Sequence, residues 1–168
     1  SAFCVYGMAL NYGYADSVKF SDIATALSAS TRGDALLIVG VALLGVALLF
    51  KLSGAPFHWW TPDVYQGAPT PITALMASAT KIAAFGALLR VLFVAFGGLN
   101  WDWRPIIWAV AILTMVVGAI IGVTQTDVKR LLAYSSIAHA GFLLTAVGGA
   151  TVLTADSESS ILFYLAAY

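Results

Sequence analysis

The sequence predicts an all-α, polytopic transmembrane helix bundle, and three observations carry that prediction. Hydrophobic residues make up 61% of the chain and charged residues only 10%, against about 25% charged in an ordinary soluble domain. Apolar stretches recur along the chain and approach the ~20 residues that cross a ~30 Å hydrocarbon layer as a helix. The five tryptophans, Trp59, Trp60, Trp101, Trp103 and Trp108, gather at the ends of those stretches, where interfacial aromatics belong. Strands are excluded because backbone groups in lipid must bond internally or within a closed barrel. A barrel needs alternating segments of about ten residues, and the chain lacks them.

The same numbers exclude other classes. Eight basic and eight acidic residues give a net charge of zero, so nothing attracts nucleic acid. One cysteine, Cys4, rules out an intrachain disulfide and a cysteine-based metal centre. In its apolar stretch it reads as a small hydrophobe. The chain opens on Ser1 in one apolar run and stops at Tyr168 inside another, so it reads as a piece of a longer protein.

The elements follow in order. Ala2 to about Tyr14 is the end of one helix. Asp16 to Asp34 is a polar loop holding a short amphipathic piece around Phe20 to Leu27. Full spans are expected at approximately 35–60, 72–97, 106–123 and 131–153. Thr61–Pro71 is expected to be a loop, punctuated by Pro62, Gly67, Pro69 and Pro71. Gly98–Pro105 and Thr124–Arg130 are expected to be turns, and Ile161 begins a last helix. Loop charge does not settle orientation: one side holds Lys19, Arg32 and Arg104, the other Lys129 and Arg130.

Three ionisable residues fall at membrane depth, where a charge is costly and marks a functional site by default. Lys81 lies ten residues past Pro71, and His139 ten past Lys129, each roughly 15 Å into its span. Lys51 lies nine residues before Trp60, roughly 14 Å from that end. All three thus fall near one mid-membrane plane. Burial disfavours an ammonium and a nearby anion or water favours it, so a lysine held between them can load and release a proton. Histidine does the same near neutral pH. The plainer readings are snorkelling lysines and a core histidine bonded to a carbonyl. Arg90, nearer the end of its span, reads as snorkelling or ion-paired, and His58 as either structural or functional.

A helix break follows Lys51. Pro56 has no N–H and clashes with the Leu52 carbonyl, and Gly54 lets the chain bend. Broken helices occur at membrane depth where backbone lines a cavity and freed groups meet ions.

These residues carry a resemblance. KLSGAPFHWWTPDVYQGAPTP (Lys51–Pro71) and QTDVKRLLAYSSIAH (Gln125–His139) resemble signatures of the antiporter-like subunits of respiratory complex I and the related multisubunit cation/proton antiporters. The wording at Val64–Gly67 and Ser78–Ile82 is similar to the N-type (mitochondrial subunit-2 type) branch of that family. The resemblance implies a fold of about fourteen helices in two inverted repeats, each with a broken helix. This chain would run from the end of helix 6 to the start of helix 11. Thr61–Pro71 and Thr124–Arg130 would lie on the cytoplasmic side. Lys51 would be the broken-helix lysine, Lys81 the central lysine and His139 the histidine of a hydrophilic axis, all moving protons. The glutamate partner of Lys51 and the exit-side residue would lie outside this chain.

The activity the resemblance implies is proton translocation within NADH:quinone oxidoreductase, coupled to quinone reduction, in a bacterial cell inner membrane. No cofactor is expected in this chain. It lacks a glycine-rich dinucleotide fingerprint, and one cysteine cannot ligate an iron–sulfur cluster. FMN and the clusters are expected in partner subunits. Expected neighbours are an M-type and a small K-type membrane subunit, with lipid around them. A Na+/H+ antiporter subunit, or a structural membrane subunit without its own proton path, are the alternatives.

Overall fold

The computed structural model describes residues 2–29, 35–150 and 155–167. Helices carry the chain in the order α1 (Ala2–Ala15), α2 (Phe20–Ala29), α3 (Ala35–Leu52), α4 (Trp60–Gly67), α5 (Thr70–Leu89), α6 (Asn100–Val123), α7 (Val128–Gly149) and α8 (Ala155–Ala167). Four helical stretches among the described residues are long and apolar enough to cross a membrane: Ala35–Leu52, Thr70–Ala95, Gly97–Val123 and Val128–Gly149. The loop charges Arg32 and Asp34, and the expected end of the last span at 151–153, lie outside the described residues.

The chain divides into two compact units, Ser1–Leu48 with Gly86–Asn100, and Leu49–Phe85 with Trp101–Tyr168. In the first, α1 closes on α3 through glycine. A Cβ on Gly7 would stand 2.9 Å from the Gly40 carbonyl oxygen, and one on Gly40 would stand 2.8 Å from Asn11 Oδ1. Asn11 is buried and donates to the Gly7 carbonyl at 2.9 Å. The amphipathic piece expected near Phe20 is α2, which packs on a π-helical turn at Arg90–Ala95. That turn widens the end of α5, with the Phe96 N–H reaching the Val91 carbonyl at 3.0 Å. Arg90, expected to snorkel or to be ion-paired, lies over the Phe20 ring, 5.6 Å from its centroid, a cation–π contact.

In the second unit α7 is the central helix. Of its most apolar window 56% is buried, against 22–28% for the other three spans. Small residues let α6 approach it closely. A Cβ on Gly118 would meet the Ala138 backbone nitrogen at 2.7 Å, and one on Gly141 the Met115 backbone nitrogen at 2.9 Å. At the other end of α7, Arg104 Nε and Trp108 Nε1 both donate to the Gly148 carbonyl, at 3.0 and 3.1 Å. That carbonyl sits in the last turn, where no helical N–H remains for it.

Two expected loops are helical instead. Most of Thr61–Pro71 folds as α4 and the start of α5. Pro62 lies in the first turn of α4 and Pro71 in that of α5, where the missing N–H had no helical partner anyway. Gly98–Pro105 is a short 3₁₀ turn at Gly97–Leu99 followed directly by α6, with Pro105 inside the helix. Pro105 falls in the second turn, so only the Trp101 carbonyl loses its bond.

The break after Lys51 is present: α3 ends at Leu52 and α4 begins at Trp60. The residue in left-handed conformation is Ser53, with φ 63°, and not Gly54. A Cβ on Gly54 would find ordinary contacts, 3.4 Å from Leu49 Cδ2 and 3.6 Å from Val110 Cγ1. The Ala55–Pro56 peptide is cis. Polar groups freed by the break are re-bonded from elsewhere. Ala55 N–H donates to Thr114 Oγ1 on α6 at 2.9 Å, and Thr114 donates in turn to the Val110 carbonyl at 2.6 Å. Trp60 Nε1 donates to the Phe50 carbonyl at 2.9 Å, and Thr61 Oγ1 to Ser53 Oγ at 2.6 Å.

Replacing Thr114 by the near-isosteric Val removes the acceptor of the Ala55 amide. In the full-length subunit, Thr114→Val is expected to cost about 1–3 kcal/mol. Hydrogen exchange at Ala55 should accelerate with it, while a wild-type exchange rate would show that the amide has another partner.

Candidate functional site

The site is built on α5 and α7. Lys81 is the twelfth residue of α5, which starts at Thr70, about 16 Å along the helix. It is 3% exposed. A buried ammonium has to find acceptors, and α7 supplies them: Nζ donates to the Ser136 carbonyl at 2.6 Å and to Ser136 Oγ. His139 follows Ser136 by three residues on α7. Residues three apart share a helix face, about 4.5 Å apart along the axis. Its Nδ1 lies 2.6 Å from the Tyr164 hydroxyl on α8, and its ring meets Phe142 edge-on at 6.0 Å. Lys81, Ser136, His139 and Tyr164 thus form a polar line through the middle of apolar helices.

Of the three expected site residues, the structure brings Lys81 onto Ser136 of α7, and His139 stands three residues further along that helix. Lys81 is buried and His139 part-buried. Lys51 differs from expectation. It lies in the last turn of α3 and is exposed. α3 buries Leu49 and Leu52, three residues apart, and leaves Phe50 and Lys51 on the other side. It makes no hydrogen bond or ion pair among the described residues.

The helix break meets this site through α7. His58, at its end, is 3% exposed. Its ring stacks on Trp59 at 4.7 Å and meets Tyr134 of α7 edge-on at 6.4 Å. Both ring nitrogens are buried with no hydrogen-bond partner among the described residues. α4 is tied to the start of α7 by a polar clamp. Arg130 Nη1 donates to Asp63 Oδ1 at 2.7 Å and to Gln66 Oε1 at 3.0 Å, and its Nε to Gln125 Oε1 at 3.2 Å. Lys129 Nζ donates to the Ala68 carbonyl at 3.1 Å. Asp127 caps α7 by accepting from the Arg130 amide at 3.0 Å.

Ser136, Tyr164 and Thr114 escaped the sequence reading. Each carries a hydroxyl inside an apolar helix, and Ser136 stands one turn before His139; those two signals could have found them.

Two substitutions separate the weak contacts from the strong. Arg130 and Asp63 are 30% and 73% exposed, so Asp63→Asn is expected to leave thermal unfolding nearly unchanged. Ser136→Ala removes one acceptor from a buried ammonium and is expected to cost about 1–3 kcal/mol. Equal effects of the two would deny Ser136 its role as acceptor.

A family model described as NADH:quinone oxidoreductase/Mrp antiporter, TM matches residues 1–168. NADH-quinone oxidoreductase subunit N of Acidothermus cellulolyticus is 77% identical over 168 residues, covering 100% of this chain and 32% of that protein. The chain therefore spans about a third of the length of that curated relative. In the solved structure of respiratory complex I from Thermus thermophilus with bound aureothin, one chain superposes at a TM-score of 0.73 with 40% identity, covering 98% of this chain and 34% of that one. A chain of the Mrp complex from Dietzia sp. superposes at 0.83 with 23% identity over 98% of this chain and 29% of that one, a likeness of fold. With a match along its whole length, the chain belongs to the NADH:quinone oxidoreductase/Mrp antiporter transmembrane family.

Proposed function

We propose that this chain is part of a proton-translocating, antiporter-like subunit of NADH:quinone oxidoreductase, coupling quinone reduction elsewhere in the complex to proton transfer across a bacterial inner membrane. The observation that carries it is the buried Lys81 ammonium seated on Ser136, one turn from His139. A stable packing contact has no need of an ionisable group at such depth.

In this reading Lys81 holds a proton while Ser136 solvates it. When positive charge approaches, Lys81 gives that proton up. It passes to His139, one helical turn from Ser136 along α7. The amine is then free to load again. Lys51, at the break in α3, is the charge whose movement disturbs Lys81. The clamp between α4 and α7 keeps the break and the Lys81 acceptors in register.

Redox chemistry belongs to partner subunits, which would hold FMN and the iron–sulfur clusters; a single cysteine here cannot ligate a cluster. The neighbours in the membrane would be M-type and small K-type subunits. The relative from Acidothermus is named as a quinone oxidoreductase subunit and is 77% identical, which favours this reading over Na+/H+ exchange.

The test is Lys81→Ala in the full-length subunit, with NADH-driven proton pumping measured in inverted vesicles after assembly is confirmed. Proton transfer by a positioned group is worth about 10²-fold or more, so pumping should fall sharply. Unchanged pumping would make this a structural subunit, and pumping that follows Na+ would make it an antiporter. Lys51→Ala should likewise lower the protons moved per NADH, and an unaltered ratio would remove Lys51 from the path.

A further inference from the structure

Tyr164 is left without a task by that mechanism. We propose that Tyr164 is a proton-relay residue that carries the path from His139 on α7 to α8; this rests on the proposed role of His139.

The geometry supports a relay better than a packing contact. The hydroxyl lies 2.6 Å from His139 Nδ1, and the rings are tilted by 48° with centroids 6.0 Å apart. The contact is therefore made through the O–H and not through ring stacking. The hydroxyl also arises from Ile161–Ala167, a segment whose other side chains are all apolar. An unbonded hydroxyl there is costly, and a Phe would fill the same space. Ile161 and Leu165, on either side of Tyr164 along α8, are 1% and 4% exposed. They seat the helix that carries the hydroxyl. Phe142, one turn along α7, closes on the same imidazole from its own helix. The ring is thus held by both helices.

The step balances with a hydronium ion of the aqueous phase as the proton donor. With the imidazole neutral, the Tyr164 hydroxyl donates to Nδ1 and Nε2 carries a proton. A hydronium proton binds Tyr164 Oη as the original hydroxyl proton crosses to Nδ1, and a neutral water is left behind. The Nε2 proton then leaves to the Lys81 amine. One proton enters, one departs, and only O–H and N–H bonds change. Rotation of the imidazole restores the first tautomer. Run in reverse, the same exchange delivers protons from Lys81 to α8.

The test uses the assembled complex with the full-length subunit. Tyr164→Phe keeps the ring and removes the relay, and the rate of proton pumping should drop about 10²-fold or more, as for any lost proton-transfer group. Tyr164→3-fluorotyrosine keeps shape and hydroxyl but changes phenol acidity, so the pH profile of pumping should move. A merely structural role would leave that profile in place. Wild-type pumping by Tyr164→Phe, or an unmoved profile with fluorotyrosine, overturns the proposal. Should Tyr164→Phe fail to assemble, the fluorotyrosine profile decides alone. His139→Gln separates the two ideas. If it pumps normally, the role of His139 falls and the relay with it. If it is impaired while Tyr164→Phe is normal, only the relay falls.

Discussion

A peptide group inside hydrocarbon must be hydrogen-bonded, because water is not there to replace a missing partner. In this chain that rule bites hardest between Leu52 and Trp60, where the helix stops and its bonds stop with it. The groups freed there are met by side chains: Thr114 for the Ala55 amide, the Trp60 indole for the Phe50 carbonyl. Each of these donors or acceptors has to sit in register to do so. α6 must present Thr114 to the break, and it can, because Gly118 and Gly141 let α6 lie close against α7. The break, the small-residue seam and the central helix are therefore one solution to one constraint.

The same constraint explains why a lysine can live beside such a seam. Ser136 offers Lys81 both its carbonyl and its hydroxyl. A serine acceptor is neutral, and this matters. A carboxylate would bind the ammonium by charge, whereas a hydroxyl and a carbonyl bind it through dipoles.

Much of this was legible in the sequence. The long apolar runs, the break after Lys51 and the depth of Lys81 and His139 follow from spacing and from proline chemistry. The helix α4 was not, because its prolines read as punctuation; their meaning depends on whether they fall in a first turn or later, and periodicity does not say which. Gly54 was assigned the bend that Ser53 makes, since glycine is the residue that enters left-handed backbone most cheaply. Lys51 looked buried by depth alone, but depth says nothing of which side of a helix a residue occupies. Ser136 and Tyr164 carry ordinary hydroxyls, and only the partners that folding brings to them make them distinctive.

The clamp at the start of α7 has a second life in time. As the chain is threaded into the membrane, Lys129 and Arg130 are two adjacent positive charges on a short loop, the sort of signal that holds a loop on the cytoplasmic face. Once the helices have packed, neither is spare: Lys129 is bound to the Ala68 carbonyl and Arg130 to Asp63 and Gln66. The adjacent charges that a nascent chain would present at this loop are thus the ones that tie the folded helices together.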